Sequence, residues 1–460
     1  MRFISTRGRA EPVGFVDALL AGLAEDGGLY APVAWPHLQP ETIAGFAGRP
    51  YAEVAAEILG LFTDGEIEPA RLRAICEQAY GAFDHPAVAP LRQLAPGRFL
   101  LELFHGPTLA FKDVAMRVLG GLIEHALAAR GRTATIVTAT SGDTGGAAAA
   151  AFARMSGVRL IVLYPEGRVS DVQRRFMTAT GADNVRCIAI DGDFDACQGI
   201  LKSLFADHAF AAETGLAAVN SINFARIAAQ CVYYFTAAVA LGAPHRQVAF
   251  TVPTGNFGDA FAGWAARRMG LPIARLVAAT NANDIIARAL TEGVYRPGPA
   301  IATQSPAMDI QAASNFERLH FEYAGRDNLE TAAAFAGFAR SREIRLPDAM
   351  REALAELFEG RSVSPAATDE AMRRAWAETR VLVDPHTAVG LAAADAAAPL
   401  DPRIPMVVLA TADPAKFPEA IAAAGLPSRI LPEGLPGRLE RIDFLPAKAS
   451  AVKTYVRAWS

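Results

Sequence analysis

At 460 residues the chain is too long for one hydrophobic core and divides into two or three domains. Apolar residues make up 52% and charged residues 20%, the balance of a soluble globular protein rather than a disordered or fibrous one. A net charge of −4 leaves no basic footprint, which argues against a nucleic-acid partner and makes any anion site a local affair of backbone N–H groups and a few basic side chains.

In chain order, Phe15 to Leu23 reads as an apolar-periodic helix ended by the Asp26-Gly27-Gly28 turn, and Tyr51 to Leu61 and Ile67 to Tyr80 as two more. Residues 1–85 are expected to form a separate, mostly helical region, with Pro86 and Pro90 marking the linker. Strands and helices then alternate, the pattern of parallel α/β folds. Phe99 to Leu103 reads as a strand, followed by a lysine-bearing loop and a helix from Val114 to Ala129. Thr133 to Ala139, Arg159 to Tyr164, Val185 to Ile190, Val248 to Val252, Leu276 to Thr280 and Met406 to Thr411 read as further strands. Residues 311–380 look like a helical insertion. The most apolar stretch, Cys231 to Ala243, is shorter than the roughly 20 residues a bilayer crossing needs and is expected to be a buried helix. Met1 to Arg7 lacks the apolar run of a signal peptide. The four cysteines, Cys76, Cys187, Cys197 and Cys231, form no C-x-x-C pair and have no zinc spacing, so no metal site is expected and a reducing cytoplasm fits.

Four short stretches carry chemistry. In His105-Gly106-Pro107-Thr108-Leu109-Ala110-Phe111-Lys112-Asp113, Lys112 follows a Gly-Pro turn and an apolar run, a wall rather than a solvated face. A lysine that attacks an aldehyde must be neutral, and desolvation lowers its pKa in that direction. A plain surface lysine is the bland alternative. Gly255-Asn256-Phe257-Gly258-Asp259 lies between an apolar strand and a helix, where successive N–H groups and the helix dipole suit a phosphate. It is neither a Walker loop nor G-x-G-x-x-G, and an ordinary strand-to-helix turn is the alternative. Ser141-Gly142-Asp143-Thr144-Gly145 has the same setting. Ser141 and Thr144 can receive a carboxylate there, or Ser141 or Asp143 can simply cap the helix. In Asn220-Ser221-Ile222-Asn223-Phe224-Ala225-Arg226, capping accounts for Asn220 or Ser221. A cation near a helix start, Arg226, opposes the dipole and calls for a bound anion or a carboxylate partner. Asp384-Pro385-His386-Thr387 and Ser305-Pro306-Ala307-Met308-Asp309 read mainly as turns with caps, and Thr411 ends the last apolar strand where α/β sheets place ligand groups.

Taken together, these motifs resemble the threonine synthases, in the branch found in fungi and many bacteria. The likeness extends to Ile4-Ser5-Thr6-Arg7-Gly8, to Gly22 through Tyr30, to Asp384 through Gly390 and to Pro414-Ala415-Lys416-Phe417. The resemblance implies a pyridoxal 5'-phosphate enzyme of the tryptophan-synthase-β type. It would have two interleaved parallel-sheet α/β domains over 86–460 and an N-terminal domain over 1–85. Lys112 would form the Schiff base. Gly255, Asn256, Phe257, Gly258 and Asp259 would line the phosphate cup. Thr411 would meet the pyridine nitrogen. Asp143 stands where relatives often carry asparagine against the ring hydroxyl. Ser141, Thr144, Asn220, Ser221 and Arg226 would face the substrate. The reaction implied is O-phospho-L-homoserine plus water giving L-threonine and phosphate, in the cytoplasm, without nucleic acid or membrane. A threonine-synthase-like phospholyase that releases a keto acid would share every cofactor motif. A non-catalytic ligand-binding relative would have little reason to keep Lys112 with both glycine turns.

Overall fold

A computed structural model describes residues 1–459 apart from Ser141, Ala218 and 432–438. Two open sheets dominate it. In the larger, Phe358–Ser362, Ile273–Thr280, Val248–Pro253, Met406–Ala410 and Arg98–Glu102 lie side by side and parallel, and Leu91–Ala95 closes one edge antiparallel. In the smaller, Asp443–Pro446, Val185–Asp191, Val158–Pro165, Ala134–Ala139 and Leu216–Ala217 are all parallel. Every residue of Val248–Pro253 and of Ala134–Ala139 is buried, as expected for strands covered by helices on both faces. Two mainly parallel sheets make this the α/β architecture that the sequence predicts.

The N-terminal region adds an antiparallel ribbon, Phe3–Ser5 against Tyr30–Pro32, and the helices Phe15–Ala21, Pro40–Ala44, Tyr51–Thr63 and Pro69–Tyr80. Tyr51, Val54, Ala55, Ile58, Leu59 and Phe62 recur at helical spacing and are all buried. Glu68 caps the next helix by accepting from the N–H groups of Ala70 and Arg71, with Pro69 at its first position. The region does not stand apart. Trp35 and Phe62 meet Phe224, and Trp35 also meets Phe261 and Trp264, so one aromatic cluster spans the N-terminal helices and the large-sheet helices. Beneath it runs the helix Phe224–Ala240, which contains most of the apolar stretch beginning at Cys231 and is buried along nearly its whole length.

Several elements differ from the sequence reading. Helix Phe15–Ala21 stops at Gly22, whose φ of 67° breaks it before the Asp26-Gly27-Gly28 turn. Lys112 opens the helix Lys112–Ala129 instead of lying in a loop. The stretch 311–380 is not all helix, since Phe358–Ser362 is an edge strand of the large sheet. The strands Leu91–Ala95, Leu216–Ala217 and Asp443–Pro446 are all edge strands, with sequences too short or too polar to signal a strand.

Candidate active site

The candidate residues lie in the segments that follow strands Arg98–Glu102, Ala134–Ala139, Val248–Pro253 and Met406–Ala410, at the strand ends where parallel sheets present ligand groups. From Arg98–Glu102 the chain passes through Gly106, where a Cβ would lie 2.5 Å from that of Asp113. Asp113 is fully buried and accepts from both the N–H and the hydroxyl of Thr108, each at 2.7 Å. Leu109 takes a left-handed φ of 57°. The 109–111 segment is then strapped to the end of strand Met406–Ala410, with Phe111 N–H donating to Thr411 O at 2.8 Å and Asp413 N–H to Leu109 O at 3.0 Å. Lys112 is therefore delivered on a rigid element. Its side chain is only 12% exposed, and Nζ lies 3.9 Å from Asp143 Oδ2. Burial pushes its pKa down; Asp143 opposes this, while Lys416 and Arg226 add to it. Burial and the two neighbouring cations thus both favour loss of its proton.

Asp143 opens the helix Asp143–Phe152 after strand Ala134–Ala139. The Thr140 hydroxyl organises the turn by accepting from the N–H groups of Gly142 at 2.9 Å and Gly145 at 3.0 Å. Thr144 is half-buried in the first helical turn. Ser141 lies outside the described residues. Asp143 Oδ1 receives Lys416 Nζ at 2.8 Å and Gln173 Nε2 at 3.0 Å. Burial works to raise Asp143, but Lys416 and then Lys112 overcome it and hold the carboxyl well below the usual range. Lys416, 1% exposed, also donates to Thr108 O at 2.7 Å. The sequence reading quoted Lys416 within a motif and gave it no role; its partners lie hundreds of residues away and leave no local pattern.

The turn after Val248–Pro253 offers a row of donors. Among the described residues the N–H groups of Gly255, Asn256 and Phe257 meet no acceptor, and the helix Gly258–Arg268 begins just behind them. The left-handed residue here is Phe257, at φ 62°, and not a glycine. Its ring is fully buried against Phe316 and Phe358. Only the backbone of Phe257 can line a phosphate cup. The same holds for Asp259, whose carboxylate accepts from Tyr233 Oη at 2.5 Å and Tyr234 Oη at 2.9 Å. Burial raises its pKa to about 6 against the pull of both tyrosines and Lys112, and Oδ2 has no partner.

Ser221 approaches the same turn through Ser314, which lies 3.3 Å from both Ser221 Oγ and Asn256 Oδ1. Neither Asn220 nor Ser221 caps the following helix. Asn223 does, accepting from Ala225 N–H at 3.1 Å. The Asn220 Oδ1 atom is buried without a partner. Arg226 is 4% exposed, makes no ion pair among the described residues and leaves Nε unpaired, while burial lowers its pKa to about 10. Of the two alternatives for this cation, a protein carboxylate is missing among the described residues. Thr411 N–H rests on Thr387 Oγ1 at 3.3 Å, and Thr387 and His386 are held in turn by Asp384, the cap of helix Pro385–Ala396. His386 Nε2 accepts from Ala307 N–H at 3.2 Å, so the Asp384 motif is a cap that also ties down the 305–309 segment.

A free buried amine, a row of unpartnered N–H groups at a helix start and an unpaired cation fit a phosphorylated aldehyde cofactor and an anionic substrate. Family models agree: residues 2–80 match the threonine synthase N terminus, 88–412 the pyridoxal-phosphate dependent enzymes and 387–456 the threonine synthase C-terminal region. The threonine synthase of Pseudomonas aeruginosa is 48% identical over 99% of this chain and 98% of its own. The chain belongs to the threonine synthase family. It is a pyridoxal-phosphate-dependent lyase. The crystal structure of the PLP-bound threonine synthase of Brucella melitensis superposes with a TM-score of 0.97 at 48% identity, covering 100% of this chain and 99% of that one. The yeast threonine synthase gives 0.93 at 35% identity, with 100% and 98% covered. Among the described residues no helix is long and apolar enough to cross a membrane, and no group of His, Cys, Asp and Glu could hold a metal ion.

Proposed function

We propose that this chain converts O-phospho-L-homoserine and water to L-threonine and phosphate. The observation that carries the reading is a desolvated amine with a lowered pKa, Lys112, within electrostatic reach of the unpaired buried guanidinium of Arg226. Pyridoxal phosphate supplies the electron sink that lets protons leave carbon next to the substrate nitrogen. The N–H groups of Gly255, Asn256, Phe257, Gly258 and Asp259 would hold its phosphate. The Thr411 hydroxyl would meet the pyridine nitrogen, and a hydroxyl there does not enforce a charged ring. Asp143 would stand at the ring hydroxyl as an acceptor.

On the substrate side, Lys112 would take the Cα proton and return it, because burial desolvates its amine and lowers its pKa. Arg226, with Asn220 and Ser221, would receive the phosphate that leaves Cγ. Ser141 and Thr144 would hold the carboxylate. Residues 1–85 would then be an N-terminal domain braced against a catalytic region over 86–460. The four cysteines are all buried and unpaired, which supports a reducing cytoplasmic setting. The test is incubation of the purified protein with O-phosphohomoserine, assaying threonine, phosphate and keto acid together. Threonine and phosphate in equal amounts are expected. Keto acid and phosphate without threonine would instead mark a phospholyase.

A further inference from the structure

Two buried lysines share one carboxylate. Asp143 Oδ1 lies 2.8 Å from Lys416 Nζ, while Oδ2 lies 3.9 Å from Lys112 Nζ, beyond hydrogen-bond reach. Gln173 occupies a further site on Oδ1 at 3.0 Å. Lys416 is itself fixed by Thr108 O at 2.7 Å and sits 5.0 Å over the Phe176 ring. We propose that Lys416 is a positioning residue that claims the Asp143 carboxylate and so leaves the Lys112 amine without a counter-ion of its own.

The charge count around Lys112 supports this. Arg226 faces it from helix Phe224–Ala240 and Lys416 from the Pro414–Lys416 turn. Asp143 faces it from helix Asp143–Phe152, and Asp259 from helix Gly258–Arg268. Asp113, on its own helix, is occupied by Thr108. His386 acts on Asp143 from helix Pro385–Ala396. Asp259, raised by burial to about 6, is an anion near neutrality, but its Oδ1 is taken by the Tyr233 and Tyr234 hydroxyls. Among the described residues, Asp143 is then the anion facing Lys112 that is not already bound to a hydroxyl, and Lys416 neutralises it. With Lys416 removed, Asp143 would turn its whole charge on Lys112, and an opposite charge at that range raises a lysine pKa by roughly one to three units. The ammonium form would then persist at the pH where a free amine is needed. The role rests on the reading of Lys112 as the reacting amine given above, but the charge sharing can be measured without it.

Full-length protein freed of cofactor is pulse-labelled with acetic anhydride between pH 6 and 10, and the Lys112 peptide is quantified by mass spectrometry. In Lys416→Met the labelling of Lys112 near pH 7.5 should fall about tenfold or more, one pKa unit being a factor of ten in free amine. Lys416→Arg, which keeps the cation, should stay close to the parent protein. The double variant Lys416→Met with Asp143→Asn removes both charges and should label at or below the parent's pH. An unmoved or lowered labelling pH in Lys416→Met overturns the proposal. If that variant gives no cooperative thermal transition, the double variant decides, and an upward shift there overturns it. Borohydride trapping of the cofactor on a lysine other than Lys112 would sink the functional reading and leave the labelling result standing.

Discussion

Arg226 is a buried guanidinium whose Nε has no acceptor. A group like that is costly to keep unless something binds it. Replacing it with lysine keeps the charge and loses the planar fork. A charge-assisted hydrogen bond contributes about 1.5–3 kcal/mol, so Arg226→Lys should lower kcat/KM for O-phosphohomoserine roughly 10- to 150-fold. Cofactor affinity and thermal stability should hardly move. Lost stability with normal kinetics would mark Arg226 as purely structural. Asp259 makes a different demand. Its carboxyl sits at about 6 in the folded chain, raised by burial, against about 3.9 when unfolded. Between those values the folded state holds a proton that the unfolded state has released. The group therefore favours folding most at low pH, and that contribution is lost as pH rises through 6. Asp259→Asn removes the titration. In urea unfolding of the cofactor-free chain, the stability of the variant relative to the parent should increase by roughly 1.4 kcal/mol from pH 5 to pH 7.5. A constant difference would mean the carboxyl is ionised throughout.

The turns behave as elements. Gly255 is a glycine for lack of space, since a Cβ there would stand 2.9 Å from Ala307 O and 3.3 Å from Met308 Cα, both backbone. Its φ is not left-handed; Phe257 carries that conformation, anchored by its buried ring. Gly255→Val should push the 305–309 segment away and tilt the N–H row. Cofactor titration should then show weakening of at least tenfold, with the far-ultraviolet circular dichroism unchanged. Unaltered affinity would place the phosphate elsewhere. These turns were legible in sequence because each follows an apolar strand buried on both faces, which prints a continuous run. Edge strands such as Leu91–Ala95 were not, being paired on one side and half polar. Side-chain direction was not legible either. Nothing local says that Phe257 and Asp259 turn into the core, or that Asn223 takes the cap. Lys416, quoted only as part of a motif, and Gln173 and Asn315 received no role because their partners are distant in sequence.

At the scale of the molecule, the N-terminal ribbon is joined to the site through one short helix, Phe316–Tyr323. Thr6 donates to Glu317 Oε1 at 2.7 Å, and Arg7 grips both oxygens of the same carboxylate at 3.0 and 2.8 Å. The next residue, Arg318, is fully buried and reaches three ways. It donates to Tyr30 O at 2.9 Å, to Ile222 O at 2.5 Å and to the side chain of Asn315. Asn315 in turn donates to Ser221 O and Asn256 O. One guanidinium thus ties the ribbon, the 220–223 turn and the Gly255 turn into a single frame. This gives a physical reason for the Ser5-Thr6-Arg7 and Gly28-Leu29-Tyr30 stretches, far from any reacting atom, to belong to the enzyme. Arg318→Met fills much of the volume but strands the carbonyls of Tyr30 and Ile222 and the Asn315 oxygen in a dry core. An unsatisfied buried group costs about 1–3 kcal/mol, so the loss should reach roughly 3–5 kcal/mol in urea unfolding. Because the two turns proposed to receive anions share the frame, cofactor affinity and KM should weaken together, whereas Arg226→Lys should weaken only the substrate side. A stability loss with both affinities unchanged would show that the turns hold their geometry without the N-terminal brace.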